Sequence, residues 1–236
     1  VGVKCGGSDA FSSITANPLV GLFSDYLTHW GGTLLATEIP EMFGAEDTLT
    51  SRIEEEAVFK KFVEMINWFK EYYTSYHQPV YENPSPGNKE GGITTLEEKS
   101  LGAVQKTGSG LVADVLQYGE CYGRSGVNIV FSPGNDPVSV TSLAASGAVL
   151  TLFTTGRGTP YSSVVPSIKI ATNSSLYKRK KSWMDFNGGR LLEGEERDAL
   201  LGGLIDLVFE VANGRETSNE HLNIGEIGLF KHGVIL

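Results

Sequence analysis

Apolar residues along the chain alternate between short unbroken runs and longer stretches in which they recur every three or four positions. Val1–Lys4, Thr33–Thr37 (TLLAT), Gly126–Ser132 (GVNIVFS), Val149–Thr155 (VLTLFTT) and Ser167–Ala171 (SIKIA) are the unbroken runs. Continuous apolar runs that end in polar residues predict strands of a parallel sheet covered on both faces. Glu54–Tyr76 instead places Phe59, Phe62, Ile66, Phe69 and Tyr73 at helical spacing with Lys and Glu between them, which predicts a helix whose aromatic stripe is core. Further helices are predicted over 13–30, stopped by Gly31-Gly32, over 137–146, and over 195–212, stopped by Asn213-Gly214. This alternation predicts an α/β fold: a three-layer, mostly parallel, Rossmann-like sheet with helices on both faces.

A chain of 236 residues with 40% hydrophobic and 20% charged content can bury a proper core, and 1–236 reads as a single domain without linker or internal repeat. Lys and Arg number 19 against 28 Asp and Glu, a net charge of −9, which argues against binding nucleic acid or an anionic membrane through bulk electrostatics. No apolar run approaches the roughly 20 residues needed to span a bilayer, and no leader pattern is present, so a cytoplasmic protein is expected. Two cysteines, Cys5 and Cys121, make no disulfide scaffold and are expected as reduced thiols. The chain starts inside a predicted strand without an initiating methionine, which points to a piece of a longer protein.

Polar, glycine-rich strings follow the apolar runs: Lys4-Cys5-Gly6-Gly7-Ser8-Asp9, Ser132-Pro133-Gly134-Asn135-Asp136 and Thr154-Thr155-Gly156-Arg157-Gly158 among them. In an open α/β sheet such loops converge on a rim beyond the carboxyl ends of the strands. Cations, amides and hydroxyls beside glycine suit an anionic, polyhydroxylated small molecule, with a sugar acid as the natural candidate. The common alternatives are absent. There is no nucleophile elbow, no phosphate loop ending in Gly-Lys-Ser or Gly-Lys-Thr, and no dinucleotide fingerprint. His29, His77, His221 and His232 are scattered, and the cysteines form no Cys-x-x-Cys pair, so the chain alone shows no complete metal site.

Six strings carry a resemblance over nearly the whole chain: KCGGSDAFSSITANPLVG (4–21), EIPEMFGAE (38–46), YENPSPGNKEGGITTLEEKSLG (81–102), SPGNDPVSV (132–140), LFTTGRGTPY (152–161) and PSIKIATNSSLY (166–177). They resemble the carboxyl-terminal catalytic region of the altronate and galactarate dehydratase family, which also includes the large subunit of sulfolactate sulfo-lyase. KKSWMDFNGG (180–189), FEVANGRETSNE (209–220) and GLFKHGVIL (228–236) favour the altronate branch. The resemblance implies loss of water from D-altronate to give 2-dehydro-3-deoxy-D-gluconate in bacterial hexuronate catabolism. It also implies a divalent metal, iron or an iron–sulfur centre, and an amino-terminal region of the same enzyme that carries further ligands. Galactarate dehydration or carbon–sulfur cleavage of sulfolactate on the same framework is one rival; a non-catalytic sugar-acid binding module is another. Self-association into a homo-oligomer is compatible with all of them.

Dehydration next to a carboxylate requires a clamp for that carboxylate, a base for the C2 proton and help for the departing C3 hydroxide. Arg157, between two glycines, is the expected carboxylate anchor. Lys89 and Lys169 are candidate bases, Lys169 because it interrupts an apolar run. Asp9 is a third catalytic candidate. Ser8, Asn83, Ser85, Asn88, Thr155 and Asn173 are candidate substrate ligands in the loop strings. In light of the resemblance Cys5 is the candidate metal ligand. Glu38, Glu41 and Glu98 are further candidates as bases or metal ligands, but carboxylates near helix ends are often only caps, and Glu38 and Glu98 rank second.

Overall fold

Strand β1 (Gly2–Cys5) runs through the middle of a seven-stranded sheet in the computed structural model, which describes residues 1–81 and 83–232. The last four residues of the GLFKHGVIL string, 233–236, and Glu82 within the YENPSPGNKE string lie outside that description. The other strands are β2 (Thr33–Ala36), β3 (Val112–Leu116), β4 (Gly126–Val130), β5 (Thr151–Thr155), β6 (Ser167–Ala171) and β7 (Phe186–Asn187). Their spatial order is β3-β4-β2-β1-β5-β6-β7, and every pairing is parallel.

Helices α1 (Ala16–His29), α2 (Glu46–Thr50), α3 (Glu56–Ser75), α4 (Pro86–Glu90), α5 (Leu96–Val104), α6 (Asp136–Ala145), α7 (Ser174–Arg179), α8 (Arg197–Ala212) and α9 (Ser218–His221) connect or flank these strands. Because side chains alternate across a strand, each strand feeds two layers. Val3, Leu34, Ala36, Leu152 and Ile168 pack with Phe23 of α1, Phe62 and Phe69 of α3 and Leu204 of α8 in the main core. Leu35, Val130 and Phe153 point the other way, against Leu143 and Val140 of α6. The expected three-layer α/β fold is therefore present.

The helix expected from Ser13 begins instead at Ala16, because Asp9 caps a short 3-10 turn over Ala10–Ser13 and uses the first helical turn for that purpose. Gly31 and Gly214 take positive φ of 77° and 101° just past α1 and α8, the conformation that lets glycine end a helix. The aromatic stripe of α3 is rotated from expectation. Phe62, Ile66 and Phe69 are buried with Val58 and Met65, whereas Phe59 is 42% exposed.

Candidate active site

β1 and β5 are neighbours, yet the chain leaves β1 toward β2 on one side and reaches β5 only after completing β3 and β4. The direction of the crossovers thus reverses between β1 and β5, and a crevice opens at the carboxyl ends of these strands beside the point where their loops meet, Gly7 O accepting from Gly156 N and Arg157 N. A cavity of about 430 Å³ opens there, walled by Cys5–Ser8, Glu41, Tyr73, Asn83, Ser85, Asn88, Lys99, Asp136 and Arg157.

Three buried lysines lie under and beside it. Lys4, 0% exposed, pairs with Glu38 and places its Nζ 2.9 Å from Asp136 Oδ1 and 2.7 Å from the Cys5 carbonyl, to which it donates. Lys106 reaches Glu38 Oε2 at 3.4 Å and Cys5 Sγ at 2.9 Å. Lys99 pairs with Glu41 and stands 3.9 Å from the same sulfur. Glu38 sits in the left-handed region, φ 73°, a strained conformation for a side-chain-bearing residue. Lys4, Lys106 and the Cys5 N–H, which donates to Glu38 Oε2 at 3.1 Å, together hold it there.

Charge balance follows from this arrangement, because three ammonium groups face the carboxylates of Glu38, Glu41 and Asp136. Burial opposes charge on Lys4, but Glu38, Asp136 and Glu41 overcome it and raise its pKa well above the usual value. Lys99 and Lys106 rise in the same way: burial works against them, and the Cys5 sulfur with the two glutamates outweighs it. Burial also opposes ionisation of Glu41, yet Lys99, Lys4 and Lys106 pull its pKa down to about 2. Burial and then Glu38 push the Cys5 thiol up, against Lys106 and Lys99. Three buried lysines thus stand against three carboxylates, and Lys99 is the one of them that lines the cavity.

Cys5, Glu38 and Glu41 bring a sulfur and two carboxylates within 4.8 Å of one another, the donor types a divalent ion takes. Their surroundings do not fit one. Each donor already faces a buried ammonium, and a divalent ion added among three trapped lysines would meet their repulsion in a low-dielectric interior.

Seven of the candidates read from the sequence meet at the cavity: Cys5, Ser8, Glu41, Asn83, Ser85, Asn88 and Arg157. The others take supporting or outlying places. Lys89 is exposed on α4 and does not line the cavity. Lys169 is buried; it donates to the carbonyls of Thr159, at 2.9 Å, and Tyr161, and lies 4.6 Å over the Phe153 ring, so that it braces the loop after β5. Burial lowers its pKa to about 8. Asp9 spends its carboxylate on the Ser12 N–H, on the Thr172 hydroxyl and on the Asn173 amide, at 3.0, 2.9 and 3.1 Å. Asn173 also caps α7 through Leu176 N at 2.8 Å, and Thr155 Oγ1 accepts from Gly158 N at 2.9 Å. These three shape the loops behind the cavity. Glu98 is exposed and accepts from Thr94 N at 2.8 Å, a helix cap.

Gly156 lies so close to Asp9 that an added Cβ would come within 2.2 Å of the Asp9 Cγ. Gly156→Ala is expected to displace that carboxylate from these donors and to cost about 1–3 kcal/mol by overpacking, a loss that thermal unfolding would show.

Lys99, Lys106 and Tyr73 were not among the sequence candidates. Their signal is a violation of helical patterning: Lys99 shares one face with Ala103 and Lys106, at four- and seven-residue spacing, beside Ser100 and Gly102. Two lysines on a face otherwise made of small residues cannot be a solvated stripe and require buried anions. Tyr73 ends the aromatic stripe of α3, but its ring reaches the cavity wall.

Residues 1–235 match the C-terminal family of D-galactarate/altronate dehydratases. The chain is 54% identical over 235 residues to altronate dehydratase of Escherichia coli (strain K12) and 52% identical over 237 residues to that of Bacillus subtilis (strain 168), covering all of this chain and 48% of each relative. It is 40% identical to the galactarate dehydratase (L-threo-forming) of Escherichia coli (strain K12), over 92% of this chain and 42% of that one. The chain thus spans about half the length of the curated relatives it matches. With motif strings that fold onto one polar cavity and a family match from end to end, the chain belongs to the D-galactarate/altronate dehydratase family, as its C-terminal domain.

Proposed function

We propose that this chain is the single catalytic C-terminal domain of a cytoplasmic bacterial hydro-lyase that converts D-altronate to 2-dehydro-3-deoxy-D-gluconate, working with an amino-terminal region of the same enzyme. The observation that carries the reading is the cavity at the β1/β5 crevice, whose wall of amides, hydroxyls and the cations Lys99 and Arg157 suits a short polyhydroxylated acid. The identity to altronate dehydratases, higher than that to galactarate dehydratase, supports the substrate.

Arg157 holds the substrate carboxylate, and the Lys99 ammonium adds positive potential where charge grows as the C2 proton leaves. Glu41, held near 2 by its lysines, is a weak base. Asp136, 28% exposed at the cavity wall, is the carboxylate of this chain placed to take the C2 proton. Tyr73 supplies a neutral donor to the substrate hydroxyls, since burial pushes its phenol up to about 12. Once hydroxide leaves C3, the enol product rearranges to the keto acid. The divalent ion that the family resemblance implies is assigned to ligands beyond this chain, because the Cys5 cluster is already neutralised by lysine.

Keto-acid formation from altronate, galactarate and sulfolactate by the full-length protein, with and without a chelator, tests this reading. Altronate is expected to react fastest. Turnover confined to another acid would retire the substrate, and altronate binding without any turnover would leave a binding module. A Cys5→Ser protein that lost its bound iron along with its activity would return the metal to this cluster.

A further inference from the structure

The Gly7–Ser8 turn carries hydrogen-bond donors that the fold itself does not use. Ser8 lines the cavity at 2% exposure, and its hydroxyl has no hydrogen-bond partner among the described residues. A buried polar atom without a partner is uncommon and asks for an explanation. The backbone around it is equally specific. Gly7 O accepts from both Gly156 N and Arg157 N at 3.1 Å, and Ser8 O accepts from Asn88 Nδ2 at 3.0 Å. Both carbonyls are therefore tied to neighbouring loops. In a planar trans peptide the N–H points opposite to the carbonyl, so the Ser8 N–H is turned away from the β5 loop that holds Gly7 O. Neither the Gly7 nor the Ser8 N–H finds an acceptor among the described residues. Gly7 reaches this geometry with φ 60°, which glycine adopts without strain.

We propose that the Ser8 hydroxyl and the Gly7 and Ser8 amides form an oxyanion seat for one carboxyl oxygen of a 2,3-dihydroxy acid. The proposal rests on the dehydratase reading above and deepens it. When the C2–H bond breaks and its proton passes to Asp136, the electron pair moves into the C1–C2 bond and a second negative charge builds on the carboxyl oxygens. Loss of hydroxide from C3 then consumes that pair as the C2–C3 double bond forms. Fixed donors aimed at the oxygens act most where the charge is greatest, in the transition state. Arg157 anchors the same group from the other side of the turn, its backbone N–H already bound to Gly7 O. The seat and the clamp are thereby built as one unit.

Ser8→Ala and Ser8→Gly in the full-length protein test the seat by steady-state kinetics, thermal unfolding and binding of the hydroxamate of altronic acid, whose planar anion resembles the enediolate. The expected result is a fall in kcat of about 100-fold with KM changed by less than about threefold, the pattern of an interaction made in the transition state. Hydroxamate affinity falls by the same factor, while Tm stays level or rises because an unsatisfied buried hydroxyl has been removed. Unchanged kcat overturns the proposal. So does a loss of Tm with kcat intact, which would give Ser8 to a buried water in the narrow space between Ser8, Asp9 and Ser12. If wild-type protein does not dehydrate altronate, hydroxamate binding by calorimetry decides alone: equal affinity in wild type and Ser8→Ala, or no binding to either, ends the proposal.

Discussion

Arg157→Ala is expected to lower kcat/KM of the full-length protein for altronate by about a thousandfold, because in the proposed role two charge-assisted hydrogen bonds of about 1.5–3 kcal/mol each are lost together. The side chain contributes little to stability. Its contact to Glu90, 3.3 Å between groups 49% and 72% exposed, is a surface pair of small worth. The guanidinium instead lies across Gly87, where an added Cβ would meet Nη1 at 1.9 Å, so the absence of a side chain there leaves room for the fork. Its main chain is fixed by Gly7 O, and Lys180 Nζ donates to its carbonyl at 3.2 Å. Arg157→Lys keeps the charge but not the two-pronged geometry, and it should recover less than about tenfold of the loss. Thermal unfolding of both variants should stay within about 0.5 kcal/mol of wild type, since an exposed side chain is involved. A change in kcat/KM below about fivefold in Arg157→Ala would remove Arg157 from the site.

The pattern of apolar positions made the central strands and the long helices legible, because strands buried on both faces read as unbroken runs. SIKIA folds as β6 over the residues expected, Ser167–Ala171. VADVL, the edge strand β3, did not read as a strand, since Asp114 interrupts it and only one flank is paired. Loops that gather at the β1 and β5 ends were also legible, for glycine and polar residues punctuate the strand ends, and Ser8 and Arg157 came from them. Long-range pairing was not. Nothing local shows that Lys4, Lys99 and Lys106 share the carboxylates of Glu38 and Glu41, from the turn after β2, and of Asp136, or that Lys169 is consumed in bracing carbonyls. Lys169 was rightly marked as buried, yet burial alone does not distinguish a catalytic amine from a structural one.

Lys106→Met is expected to destabilise the protein by about 3–5 kcal/mol, the range for breaking a buried ion pair from one side. Lys106 is 3% exposed and faces both Cys5 Sγ at 2.9 Å and Glu38 Oε2 at 3.4 Å. Methionine fills a similar volume without branching, so the loss measures charge more than packing. Without the ammonium, Lys4 and Lys99 are left against Glu38, Glu41 and Asp136, and the interior carries a net negative charge. Glu38 has no route to solvent, being 1% exposed, and its left-handed backbone is retained only while its carboxylate is held on several sides. For a domain of this size the deficit corresponds to a fall in Tm of roughly 10 °C. Glu38→Gln in the same background removes the uncompensated charge and should return part of the loss, so that the double variant is more stable than Lys106→Met alone. A double variant less stable than either single change would mean that Glu38 is held by Lys4 alone. In that case the three lysines would act as separate pairs instead of one neutral cluster beneath the cavity.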